Sequence, residues 1–293
     1  MKKNENEKGK EIKAVDLGAN LFTKEVAQIR PKWYKAFWGE KFGRRGKVLT
    51  GISVEEMLDQ MDHAGIEMVL LIAPKMGPLG LPQSFHMPYK MVADVVNRYP
   101  KRFRGLAGVD PNEGMKGVRE LEYAVKNLGF VGAHLYPHWF GLAPDAAKYY
   151  PFYAKCAELD IPIEMQVGHC LVYTKDYPLR SVGRPITLDT IACDFPELKI
   201  IGIHLGYPWT EEMISVAWKH PNVYIGSDAY APKHWPPSFV HFINTWGQDK
   251  VIFGSDFPLL AFERLRQEVE ALGLRGESKR KFLRDNAKKV FKL

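Results

Sequence analysis

"VIFGSDFPLL", residues 251–260, decides how the whole chain is read. Three apolar residues, a glycine and a serine lead to Asp256, and Phe257 and Pro258 close the run. An unpaired carboxylate is expensive to bury, so one at the end of an apolar strand needs a reason. A parallel barrel supplies it: its strands are covered on both faces, and its polar groups collect at their carboxyl ends.

Seven further runs have the same form. They are "KAVDLGAN" (13–20), "IEMVLLIAP" (66–74), "RFRGLAGVD" (102–110), "FVGAHLYP" (130–137), "IPIEMQVG" (161–168), "LKIIGIH" (198–204) and "NVYIGSD" (222–228). Segments of helical period lie among them. The one at 53–65 opens on Ser53 and Glu56, a capping-box pair, and closes on Gly65. Others are read at 114–129, 145–160 (interrupted by Pro151), 187–195, 210–219, 237–246, 260–272 and 277–291. No low-complexity linker divides the chain. The expected fold is α/β, a single-domain (β/α)8 TIM barrel over residues 13–293, with residues 1–12 as a flexible tail.

The net charge of +7 raises a nucleic-acid reading. From Arg275 to Leu293, however, eight basic residues face two acidic ones, so six of the seven charges sit in one segment. That is a solvated helix face, and no nucleic-acid signature accompanies it. Cys156, Cys170 and Cys193 have neither CxxC spacing nor an even count, which argues against a disulfide framework or zinc knuckle. No apolar run reaches membrane-spanning length and the first residues lack a signal-peptide core, so the expected setting is cytoplasmic, with no membrane partner.

The strand ends carry Asp16 and Asn20, Lys75, Asp110, His134 and His138, then Glu164, Gln166 and His169, and lastly His204, Asp228 and Asp256. Alternation along a strand puts Asp16, Gly18 and Asn20 on one face. Glu164 reads either as a buried acid of raised pKa or as the partner of a nearby base. Arg180 and Arg184, in "YPLRSVGRP", are forks suited to a planar carboxylate, and Lys75 and His138 are similar candidates. The aromatic stretch "RPKWYKAFWGEKFG" (30–43) is either a lid over the barrel mouth or a subunit contact. Trp139, Phe140, Trp209 and Trp235 offer flat walls for a ring-like substrate.

"SVEEMLDQMDHAGIEMVLL", "RFRGLAGVDP", "GFVGAHLYPH", "LKIIGIHLGYPW", "HPNVYIGSDAY", "VIFGSDFPLL" and "FLRDNAKKVFKL", in this order, resemble the amidohydrolase-related family. That family includes aminocarboxymuconate-semialdehyde decarboxylase and aromatic acid decarboxylases. The resemblance implies a divalent metal held by two residues of strand one, a histidine ending strand five and the aspartate ending strand eight, with a strand-six histidine in catalysis. Matched position by position, the aspartate is Asp256 and the strand-six histidine His204, but the other ligand places fall on Gly18, Asn20 and Gln166. Glycine offers no ligand, and amide oxygens are weak ligands for zinc, so no metal is expected at the usual site. Zinc or manganese with substituted ligands, for example Asp16, Glu164, His169 and Asp256, stays open.

The expected function is acid/base chemistry on a small aromatic or unsaturated carboxylate. Asp256, His204 and Glu164 are its catalytic residues, and Arg180, Arg184, Lys75, His138, Gln166, Asn20 and His169 bind the substrate. Non-oxidative decarboxylation comes first. Metal-independent hydrolysis of an activated ester or lactone, a metal-dependent decarboxylase or hydrolase, and a non-catalytic binding barrel are the alternatives. The resemblance also implies a homodimer.

Overall fold

The computed structural model describes residues 12–43, 45–174 and 177–293. Eight parallel strands form one sheet in chain order: β1 (Ala14–Asn20), β2 (Ile66–Ala73), β3 (Phe103–Gly108), β4 (Phe130–Leu135), β5 (Ile163–Gln166), β6 (Ile200–Ile203), β7 (Val223–Gly226) and β8 (Val251–Ile252). The sheet closes on itself. Leu17 N donates to Phe253 O at 3.0 Å, Asp256 N to Gly18 O at 3.0 Å and Asn20 N to Phe257 O at 2.8 Å, with a parallel bridge between Ala19 and Phe257. The molecule is a (β/α)8 barrel, as the apolar runs required.

Two apolar layers hold it together. Val15, Leu17, Leu70, Ile72, Ile201 and Ile252 belong to one buried cluster that fills the barrel. A larger cluster packs the helices onto the sheet, with Met57 and Met61 of Val54–His63 and Phe239 and Phe242 of Pro237–Asn244 among its buried members. The first of these helices begins with the anticipated capping box: Glu56 N donates to Ser53 Oγ and Ser53 N to Glu56 Oε2, both at 3.0 Å.

The structure corrects several local expectations. The helix Tyr89–Arg98, unread in the sequence, stands between β2 and β3, and its Val92, Ala93 and Val96 are buried. Pro151 does not interrupt a helix but lies in the first turn of Tyr150–Glu158, where a missing N–H leaves no bond unmade. The segment read as one helix at 277–291 contains a π-helical turn at Lys281–Asp285. The register of β1 against β2 shifts between Asp16 and Ala19. Val15 and Leu17 join the barrel's apolar cluster, and the buried Asp16 carboxylate accepts from the backbone N–H groups of Gly18 and Ser255. Residues 1–11 of the expected tail lie outside the described residues, and Ile12 already packs on the core.

Candidate active site

Above the carboxyl ends of the strands lies a cavity of about 340 Å³. Its roof is the aromatic stretch after β1, now short helical turns with Trp33, Tyr34 and Trp38 buried. Trp33 packs at a tilt of 42° against Trp139 from beyond β4, ring centres 4.8 Å apart, and its indole N–H donates to Gln83 O at 2.8 Å. The stretch is thus a lid over the mouth. Of the expected aromatic walls only Trp139 lines the cavity. Trp209 instead carries the Arg184 guanidinium, and Trp235 packs in the core against Phe239 and Phe282.

The polar end of the cavity is built by the last residues of β1, β5 and β6 and by the loops after β7 and β8. Asn20 Nδ2 donates to Asp256 Oδ1 at 2.9 Å and to Phe257 O at 3.2 Å, which fixes the carboxyl group in place. His204 donates its backbone N–H to Asp228 Oδ1 at 2.9 Å. Its Nε2 lies 3.3 Å from Asp228 Oδ2 and 4.0 Å from Asp256 Oδ2. The Gln166 amide stands 3.5 Å from His204 Nδ1, where it presents a donor to a neutral imidazole or, turned over, its oxygen to an imidazolium. Backbone strain gathers here: His204, Leu205, Ala229 and Asp256 have φ of 63°, 55°, 67° and 50°, a region that non-glycine residues avoid.

Burial dominates the charge states. It pushes the Asp256 carboxyl up to about 7, against the pull of His204 and with the help of Asp228. Burial would lower His204, but the Asp228 carboxylate outweighs it and holds the imidazole above its ordinary value. Burial alone would likewise raise Asp228, and the His204 imidazolium keeps it low. Asp16, fully buried, accepts from Gly18 N and Ser255 N, both at 3.1 Å, and burial brings it to about 7. His134 and Glu164 touch at 3.0 Å. Burial drives the imidazole down to about 3 and the carboxyl well above its usual range, so this contact is a hydrogen bond between neutral groups rather than an ion pair.

Of the residues expected from the sequence, Asp256, His204, Asn20, Gln166 and His169 line the cavity together, with His169 exposed at the rim. Glu164 lies behind His134, outside the lining. Lys75 is buried against Glu113 and Glu120, which take up its charge away from the cavity. His138 is packed beneath the loop after β5, where Val182 N donates to its Nδ1 at 3.1 Å. The Arg184 fork is spent on Glu212 and stacks 4.4 Å over Trp209, and Arg180 is exposed outside the lining. The four proposed anchors thus lie off the cavity: acids claim Lys75 and Arg184, the loop after β5 claims His138, and Arg180 is exposed.

The structure adds groups to which the sequence reading gave no role, Asp228 among the strand-end residues it had marked. Asp228 sits at the mouth as the partner of His204, and Tyr136 lines the wall. Arg30, at the end of the short helix Lys24–Ile29, also lines the cavity, with Phe22, Tyr34 and Phe85 rings 5.3, 4.4 and 5.0 Å from its guanidinium carbon. Its Nε and Nη2 are buried and have no hydrogen-bond partner among the described residues. The only sequence signal was an arginine opening an aromatic stretch.

Residues 74–293 match the family described as amidohydrolase. The chain belongs to the amidohydrolase family. Among its relatives, the gamma-resorcylate decarboxylase of a Polaromonas species is 25% identical over 285 residues, covering 80% of this chain and 85% of that one. The 2-keto-4-carboxy-3-hexenedioate hydratase of a Sphingobium species is 31% identical over 167 residues, 47% of this chain and 46% of the other. The 5-carboxyvanillate decarboxylase of Novosphingobium aromaticivorans, crystallised with manganese and a nitrobenzoic acid, shares the fold at a TM-score of 0.72 and 19% identity, over 97% of each chain. This amidohydrolase is an enzyme of the lyase or hydrolase type.

The metal places of this amidohydrolase do not fit a firmly held divalent ion. Gly18 brings no donor, and a Cβ built on it would stand 3.5 Å from Glu164 Oε2. Asn20 turns its amide nitrogen, not its oxygen, toward Asp256. Among the described residues, groups of three or more ligand atoms within 4.8 Å of one another occur only at Asp189, Cys193 and His220 and at His86, Asp110 and Glu113. None of these lines the cavity, and the substitute set Asp16, Glu164, His169 and Asp256 does not assemble. No helix of the described residues is long and apolar enough to cross a membrane.

Proposed function

We propose that this enzyme carries out metal-independent, non-oxidative decarboxylation of a small aromatic or unsaturated carboxylate, with Asp256 as the proton donor. One observation carries the reading: the Asp256 carboxyl, oriented by Asn20 and 4.0 Å from His204, is held by burial at about 7 on the wall of an aromatic cavity. An acid of that strength is protonated in a useful fraction at neutral pH and still gives its proton up. The relatives named as decarboxylases support the reaction class.

The step balances as follows. The protonated Asp256 delivers its proton to the ring or enol carbon that bears the reacting carboxylate. The bond from that carbon to the carboxyl carbon then breaks, its electron pair restores the unsaturated system, and CO2 departs. Asp256, left as a carboxylate, regains a proton from water. His204, held by Asp228, stabilises the carboxylate formed in the step. Glu164 acts at a distance, as the group that positions His134. Tyr136, Trp139 and the lid rings sandwich the planar substrate and exclude water.

A second reading rests on the same carboxyl: ionised, Asp256 can activate water against an ester or lactone. A screen of hydroxybenzoates and lactones, following CO2 release and acid formation, separates the two. Asp256→Asn should abolish turnover with the fold intact. Unchanged turnover refutes the role, and binding without turnover by the wild type favours a non-catalytic barrel. We extend the proposal to a cytoplasmic homodimer. Trp218 and Trp246, packed edge to face at 5.1 Å and 69% and 50% exposed on the barrel's flank, suit such a contact.

A further inference from the structure

We propose that His86, Asp110 and Glu113, together with the Gly77 carbonyl, bind a divalent transition-metal ion beside the barrel mouth, outside the cavity that holds Asp256. The inference goes beyond the decarboxylation reading and does not depend on it. Two loops build the site. After β2, Lys75–Met76 pairs antiparallel with Phe85–His86 in a short hairpin. After β3, Asp110 caps the single turn Pro111–Glu113. His86, Asp110 and Glu113 each offer one ligand atom, all within 4.8 Å of one another. None of the three lines the cavity.

Asp110 points to a cation. Its side chain is 1% exposed, and Oδ1 accepts from the Asn112 backbone N–H and side-chain amide at 2.8 and 2.9 Å. Oδ2 is buried and has no hydrogen-bond partner among the described residues, a costly state for a carboxylate oxygen. His86 Nε2 stands 3.7 Å from it, too far for a hydrogen bond. That spacing suits a shared ion, because two ligand atoms on one tetrahedral zinc stand about 3.4 Å apart. Nε2 donates to Gly77 O at 2.6 Å. With the imidazole proton moved to Nδ1, both atoms are free to turn a lone pair to the ion. The Lys75 ammonium does not fill this role, since it is held by Glu113 and Glu120, and the exposed Lys116 and Lys148 bind Glu120 and Asn112. One imidazole among oxygen donors favours zinc over magnesium, which prefers oxygen alone. The ion would tie the hairpin to the loop after β3. That hairpin also seats the lid: Gln83 O accepts from Trp33, and the Phe85 ring lies 5.0 Å from the Arg30 guanidinium carbon. Its effect is therefore on stability, not on the bonds made or broken in the cavity.

The test uses the whole chain, dialysed free of metal, with Cys193→Ser as the parent so that the cluster of Asp189, Cys193 and His220 loses its thiol. Calorimetry should show one equivalent of zinc bound at least about tenfold more tightly than magnesium. The thermal unfolding midpoint of the parent should rise with zinc concentration. His86→Gln and Asp110→Asn should each lose at least about tenfold in zinc affinity. In zinc-free buffer Asp110→Asn, which removes the unpaired buried charge, should unfold no earlier than the parent. With zinc the parent should overtake it, a crossing that a merely structural Asp110 would not give. The site is overturned by a parent that binds no zinc, by equal affinity for zinc and magnesium, or by zinc binding that survives both substitutions. Midpoints that keep the same order with and without zinc overturn it as well. All of these readouts are independent of turnover, so they decide the site whether or not the decarboxylation reading holds.

Discussion

The pH dependence of kcat/KM tests the role of Asp256 most directly. With its carboxyl at about 7, the proton-bearing fraction is about nine tenths one pH unit below that value and about one tenth one unit above. If the proton on Asp256 is the one delivered to carbon, kcat/KM falls about tenfold between pH 6 and pH 8, and by nearly the same factor, about tenfold, for each further unit. The substrate carboxylate, with a pKa near about 4, stays ionised across this range and adds no opposing limb. His204 lies above its ordinary value, held there by the Asp228 carboxylate against burial. Stopped assays of CO2 release across this range give the curve. In heavy water the product carries deuterium at the carbon that lost CO2. Asp256→Asn, which keeps the shape but has no proton to give, lowers the rate about 100- to 10,000-fold and removes the pH dependence. A rate that climbs through pH 7 assigns Asp256 the base role in hydrolysis instead. A flat profile, or Asp256→Asn at more than a tenth of wild-type activity, refutes the reasoning altogether.

Asp16 makes a related prediction for stability. Its carboxyl rises from 3.8 to about 7 on folding, so its contribution is fully present below the unfolded value and is lost as pH climbs through the folded one. Relative to Asp16→Asn, the wild type should lose about 2–3 kcal/mol between pH 5 and pH 8 in urea unfolding, and parallel curves would contradict the buried charge. Prolonged dialysis against a chelator should leave kcat/KM unchanged, because Gly18, Asn20 and Gln166 cannot complete a ligand set. Loss of activity restored by manganese would overturn this. Trp33→Ala, which removes the ring packed against Trp139, should cost about 3–5 kcal/mol in thermal or urea unfolding and raise KM by opening the roof; a neutral effect on both would show that the lid is not seated there.

The barrel was legible because parallel strands buried on both faces leave nearly unbroken apolar runs, and because helix ends such as Ser53 and Glu56 announce themselves locally. Asp256 and His204 were legible for the same reason, as polar residues where such a run stops. The anchors were not. Whether Arg184 faces a cavity depends on Glu212, 28 residues away on the helix Thr210–Lys219 beyond β6, which no spacing within its own loop reveals. Lys75 is settled in the same way by Glu113 and Glu120. Arg30 went unselected because its meaning comes from three rings brought to it by separate segments. The helix at Tyr89–Arg98 is a different case. Its Met91, Val92, Val95 and Val96 have helical spacing, but the preceding Gly- and Pro-rich stretch draws the eye to a loop.

On the metal-independent reading proposed above, the charge balance of the mouth follows from its protons. Asp16, Glu164, Asp228 and Asp256 bring four carboxyl groups into one end of the barrel, enough negative charge to demand a cation if all were ionised. They are not: Glu164 is neutral beside a neutral His134, Asp228 is balanced by His204, and burial keeps Asp16 and Asp256 near the point of half-protonation at neutral pH. Protons thus supply the compensation that the resemblance assigns to a metal. The exchange also locks itself in. A Cβ at Gly18 would stand in ordinary contact with Glu164 Oε2, at 3.5 Å, so a larger imidazole at that position would crowd the carboxyl. Restoring histidines at positions 18, 20 and 166 would therefore leave Glu164 competing for the first of them. A variant with those three histidines that also shortens Glu164 should therefore bind manganese more tightly than one that keeps it, and equal affinity would show that the Gly18 and Glu164 pair does not decide between metal and proton chemistry.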